Sequence, residues 1–113
     1  MREEIKDPFR LKHMLESSEN VIKFMDGKTL EDLKTDKLLF YGVVKNIEII
    51  GEASYKITDS LKEKIKEIPW KKIAGMRHVL VHEYYHIKPE EVFLVYQNEI
   101  PFLIQQLKTV INL

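Results

Sequence analysis

Between Asp36 and Ile57 the apolar residues Phe40, Val43, Val44, Ile47 and Ile50 recur every three or four positions. That repeat lines one face of an α-helix and would scatter side chains over both faces of a strand. Gly51 and Ser54 fall on the same face, which predicts that another helix crosses there at close range. The spacing therefore predicts a helix over 36–57 whose stripe is core. Similar signals run through the chain. Asp7 followed by Pro8 reads as an N-cap with proline at N1, and Gly27 reads as a stop; between them Phe9, Met14, Leu15, Val21, Ile22 and Met25 keep helical spacing. Thr29 and Asp32 fit a capping pair that opens a short turn. Thr58 to Glu67 is charged and capped, a short helix or turn leading to Ile68-Pro69-Trp70. Pro69 at N1 can open a third helix through about Tyr85, and Pro89-Glu90-Glu91 repeats that start signal for a last helix to Leu113, interrupted at Pro101. No convincing strand alternation, internal repeat or low-complexity linker is present. The expectation is an all-α fold, an antiparallel bundle of four or five helices in a single domain, 1–113.

Length and charge narrow the function classes. A chain of 113 residues supplies one core and not two. Hydrophobic residues at 44% and charged residues at 32% suit a soluble globular protein and are too apolar for disorder. Eighteen basic and eighteen acidic residues cancel, so no global field draws the protein to nucleic acid or to an acidic membrane, and any nucleic-acid contact must come from a local patch. The absence of cysteine excludes disulfides and thiolate chemistry. The N-terminal MREEIKDPFR has no apolar signal core, and no apolar run approaches the ~18 residues of a membrane span. A cytoplasmic protein with no membrane association is expected.

The stretch RHVLVHEYY, Arg77 to Tyr85, combines a permanent cation, two imidazoles and two phenols with Val79, Leu80 and Val81. On a helical wheel Trp70, Ile73, Ala74, Leu80, Val81 and Tyr84 cover one face and Arg77 falls in its middle. An unpaired guanidinium in a core is heavily penalised. Either Arg77 has a buried carboxylate partner, or this face opens onto a cleft or a subunit interface. His82 lies about 140° around the helix from Arg77, so the two converge only at a distorted helix end or where two copies meet around a dyad, a hint of a symmetric dimer. His78, His82 and His86 stand four apart, the spacing of a helical metal pair; the run is not HExxH, no cysteine supports it, and no metal is expected. Trp70 reads as a core residue near a helix start. Lys62, Lys64, Lys66, Lys71 and Lys72 precede the motif, interleaved with Glu63 and Glu67. They form either a solvated surface or the local patch that a neutral RNA binder needs.

These residues resemble a known family. Arg77-x4-His82-x-Tyr84 is similar to the R-x4-H-x-Y signature of the HepT-like toxins among the HEPN-domain ribonucleases. Lys45 to Ala53, KNIEIIGEA, resembles the family's RN-x-E-I-I-G-E-A block, and Ile68 to Arg77 resembles its IPW-x2-I-x-G-M-R block. The likeness covers essentially the whole chain, with three blocks in order. It departs at Lys45, where the family usually has arginine and its bidentate fork, and at Glu83, Tyr85 and His86, where aspartate, phenylalanine and glycine are usual.

The resemblance implies a HEPN-like helical bundle acting as a metal-independent endoribonuclease without cofactor. It implies a homodimer with the motif beside the dimer cleft, and a minimal nucleotidyltransferase antitoxin as partner. Histidine titrates near neutrality and suits proton transfer; arginine's planar fork suits phosphate. His82 is then the catalytic acid or base and Arg77 the phosphate clamp. His78 would support them, and Tyr84 would contact substrate or accept AMP from the antitoxin, with Tyr85 as a decoy acceptor. The alternative is a non-catalytic nucleotide- or RNA-binding subunit of a nucleotidyltransferase complex, in which Arg77 and His82 hold phosphate and nothing is cut.

Overall fold

Helix α1 (Arg2–Met25) and helix α3 (Lys37–Lys56) form the frame. They run antiparallel: Arg10, near the start of α1, donates to the Lys56 carbonyl at the end of α3 (2.6 Å), and Asn20 donates to Asn46 at mid-length (3.1 Å). Phe24, near the end of α1, lies 3.5 Å from where a Cβ on Gly42 would stand. The computed structural model describes residues 2–75 and 87–111. Among the described residues there is no strand, and no helix is long and apolar enough to cross a membrane.

The periodicity in α1 places Leu11, Met14, Ser18, Val21 and Met25 against the stripe of α3, where Val43, Val44, Ile47 and Ile50 are buried. Gly51 and Ser54 are buried with them, as small residues on a crossing face should be. Ser18 satisfies its hydroxyl on the Met14 carbonyl (2.7 Å) and Asn46 donates to the Gly42 carbonyl (2.8 Å), so these polar side chains enter the interface bonded rather than bare. Gly27 ends α1 with φ at 71°, a left-handed turn in which any Cβ would be strained.

One start signal is misplaced in the sequence reading. α1 begins at Arg2 and passes through Pro8 without ending, so Asp7 caps nothing in its own helix. Its buried carboxylate instead accepts from the Thr58 amide (3.2 Å) and the Thr58 hydroxyl (2.6 Å). Thr58 is the N-cap of α4 (Asp59–Lys64): an acid expected to start one helix steadies the start of another. Phe9, counted on the apolar stripe, is 63% exposed.

The other signals land closely. Thr29 and Asp32 make a reciprocal capping box on α2 (Leu30–Thr35), which holds the Asp32 carboxyl below its ordinary value through its hydrogen bonds to the Thr29 amide and hydroxyl. Asp36 caps α3 and Ile57 closes it. The helix expected from Pro69, α5, is described over residues 70–75, with the Ile73 amide bonded to the Pro69 carbonyl (3.1 Å); its continuation to Tyr85 lies outside the described residues. Helix α6 (Pro89–Leu94) has proline in its first turn with Glu90 and Glu91. It continues through a π turn, Val95–Glu99, into α7 (Ile100–Ile111). The interruption expected at Pro101 is therefore a widened turn just ahead of it. Setting aside the six-residue α2 and α4, four helical spans remain among the described residues.

Candidate active site

The described structure approaches the RHVLVHEYY segment from both sides. On the incoming side, Ile65 closes α4, and Ile65, Ile68 and Ile73 are buried. The partly buried indole of Trp70 donates from Nε1 to the Ile65 carbonyl (2.9 Å), pinning the first turn of α5 to the end of α4. The Lys62 ammonium lies 5.8 Å from the centroid of the Trp70 ring, within cation–π range. Lys72 pairs with Glu99 of the π turn at 2.6 Å, which ties the start of α5 to the last helical span. On the outgoing side, the partly buried Ile87 packs against the core. Lys88 opens α6, its carbonyl accepting from the Glu91 and Val92 amides. The Glu90 carboxyl is held below its ordinary value, first by its own backbone amide and then by Lys34, 3.4 Å away.

Arg77, His78, His82 and Tyr84, the expected site residues, lie outside the described residues, as do Tyr85 and His86. Whether Arg77 and His82 converge, and whether His78, His82 and His86 share a ligand, are therefore matters of sequence. Among the described residues no three His, Asp or Glu side chains gather as a cation site. Trp70 and Ile73 meet the core as expected, but Ala74, assigned to the same face, is exposed. The Lys72–Glu99 pair had no signal in the sequence: its partners are far apart in the chain, and no local spacing rule joins them.

Comparisons with known proteins bear on the family of the chain. The profile of the family described as "Ribonuclease HepT-like" matches residues 14–110. A protein of Caldanaerobacter subterraneus named "Putative RNase" is 37% identical over 102 residues, covering 90% of this chain and 91% of that one. A protein of Methanocaldococcus jannaschii named "Gamma-glutamylcyclotransferase and putative RNase" is 36% identical over 107 residues, which is 95% of this chain but 47% of its own length. A "Probable ribonuclease HepT" of Thermococcus cleftensis is 33% identical over 93 residues, 82% of this chain and 84% of that one. No solved structure matches at a significant level. With the family profile running from Met14 in α1 through α3 and the whole segment from Trp70 to Tyr85, the chain belongs to the ribonuclease HepT-like family.

Proposed function

We propose that this protein is an endoribonuclease that cleaves RNA through the substrate's own 2′-hydroxyl, with His82 and Arg77 at the reacting phosphate and no metal ion. One observation carries the reading: Arg77-x4-His82-x-Tyr84 lies inside the region that matches the family, and relatives over that region are named as ribonucleases. The 2′-oxygen forms a bond to phosphorus as the bond to the 5′-oxygen breaks, leaving a 2′,3′-cyclic phosphate and a free 5′-hydroxyl. One group takes the 2′-proton and another protonates the leaving oxygen; an imidazole serves either step near neutral pH. The guanidinium of Arg77 offers two parallel donors to the phosphorane oxygens, whose charge grows in the transition state. His78 supports phosphate or proton transfer.

His82→Ala removes cleavage of a mixed-sequence RNA by about 10²-fold or more, the scale of lost acid–base catalysis, with helical circular dichroism and the melting curve unchanged. EDTA leaves wild-type cleavage intact. Activity retained in His82→Ala, or abolished by EDTA, overturns the reading; lysate-free RNA binding without any cut product assigns the protein to the non-catalytic alternative.

The same reading makes the protein the cytoplasmic toxin of a toxin–antitoxin pair. It acts as a homodimer that brings the motif to a shared cleft; light scattering at micromolar concentration must show twice the chain mass. Its antitoxin is a minimal nucleotidyltransferase that moves AMP from ATP onto the Tyr84 hydroxyl, releasing pyrophosphate. The adduct adds a phosphate charge and an adenosine near Arg77, competing with RNA by charge and bulk. After incubation with the nucleotidyltransferase, ATP and magnesium, mass spectrometry finds the adduct on Tyr84, absent in Tyr84→Phe, together with lost cleavage. An adduct confined to Tyr85 refutes the modification while leaving the ribonuclease reading in place.

A further inference from the structure

Residues 62–72 carry five lysines against two glutamates in a chain of zero formal net charge. They sit on and around the elbow between α4 and α5. Ile65 and Ile68 anchor it from inside, and the Trp70 indole closes it on the Ile65 carbonyl. Two of the lysines are engaged, Lys62 over the Trp70 ring and Lys72 with Glu99. Lys64, Lys66 and Lys71 are exposed, and no ion pair joins them to another described residue. By contrast Lys34, Lys45, Lys72 and Lys108 each reach a glutamate within 3.7 Å. Lys71 stands six positions before Arg77 in the chain.

We infer that this elbow is an RNA-backbone docking surface, in which Lys64, Lys66 and Lys71 hold phosphates of a single strand, on the stretch of chain that leads into the proposed cutting residues. The inference rests on the ribonuclease reading and names where that substrate is gripped outside the reacting phosphate. Charge complementarity selects a polyanion as the occupant. Sequence-independent grip of this kind comes from the release of counterions around the strand. Glu63 and Glu67, exposed on the same elbow, oppose it and set its strength.

The test measures binding of a fluorescent single-stranded 2′-O-methyl oligoribonucleotide, which cannot be cut, across a range of salt, alongside cleavage of the ordinary RNA. Lys64→Ala, Lys66→Ala and Lys71→Ala together flatten the slope of log affinity against log salt by about 0.7 per lysine, raise KM about tenfold at low salt and leave kcat near wild type. Glu63→Gln with Glu67→Gln moves affinity the other way. Because all five side chains are exposed, the variants melt as wild type does, and a lowered melting point with unchanged salt slope counts against the inference. RNA that is still cleaved, with affinity and slope untouched by the lysine variants, overturns this inference alone. Lysine-dependent binding without any cleavage supports it and overturns the ribonuclease reading. Lysine-dependent binding of a polyglutamate peptide but not of the oligonucleotide assigns the elbow to an acidic protein segment and overturns it.

Discussion

Two helical spans of this protein contain a proline, and they respond differently. α1 carries Pro8 as plain α-helix, whereas the span from Pro89 to Ile111 meets Pro101 with a π turn immediately before it. Each ring removes a backbone hydrogen bond and crowds the carbonyl four residues back, so the proline alone does not decide the outcome. The phase of the buried residues does. In α1 Asp7, Leu11, Met14, Ser18, Val21 and Met25 are buried at alternating steps of four and three, an unbroken stripe. In the last span Val92 and Ile100 are both buried, yet in a regular helix they would point about 80° apart. A π turn absorbs one extra residue, which reduces the offset to about 20° and lets Val92, Ile100, Leu103 and Leu107 face one core. The Ile100 amide reaching back to the Val95 carbonyl is the bond of that turn.

The largest way to break the comparison is a single deletion. Removing the exposed Lys12 from α1 rotates one half of the stripe by about 100° against the other, and the variant loses cooperative thermal unfolding. Removing the exposed Asn98 from the π turn only closes it to a regular helix, with Pro101 now crowding a carbonyl, and costs about 3 kcal/mol; adding Pro101→Ala recovers most of that in chemical denaturation. Equal damage from the two deletions would show that phase is not the deciding quantity.

Next in size is Asp7, beside the tolerated proline. Asp7→Ala leaves the Thr58 amide without its acceptor and costs about 2–3 kcal/mol, whereas Pro8→Ala stays within about 1 kcal/mol. A reversed order would mean that the proline, and not the carboxylate, governs this end of α1.

The sequence had shown much of this and hidden the rest for identifiable reasons. Asp36, Ile57, Gly27 and the Thr29–Asp32 box were readable because each acts within one turn of its own helix. Asp7 misled because its partner, Thr58, lies 51 residues away, beyond the reach of any capping rule. Phe9 misled because helical spacing gives a face but not how far a neighbouring helix covers it. Arg77 and His82, the proposed site residues, are proposed from their types and order, which is information about chemistry; their mutual angle depends on helix ends and neighbours that spacing does not encode.

The smallest effect concerns α2, the short helix that needs its box. Asp32 titrates below the ordinary carboxylate value because the Thr29 amide and hydroxyl bond its charged form. A depressed carboxyl contributes stability above its unfolded value and loses that contribution as pH falls through the folded one. Wild type therefore melts above Asp32→Asn at neutral pH, and the gap closes in acid below the ordinary carboxylate range. A gap that persists there would assign the difference to something other than the ionised box.

Thr58 does two things with one hydroxyl. It accepts from the Leu61 amide to open α4 while donating to Asp7. A six-residue helix is far too short to persist by itself in water, and the carboxylate that steadies it arrives only after a loop of 51 residues has closed, an entropy cost met late on a folding route. The start of α4 thus depends on a bond made across the chain and not on its own six residues. In native-state hydrogen exchange the amides of Leu61 and Lys62 trade with solvent ahead of those buried along α3.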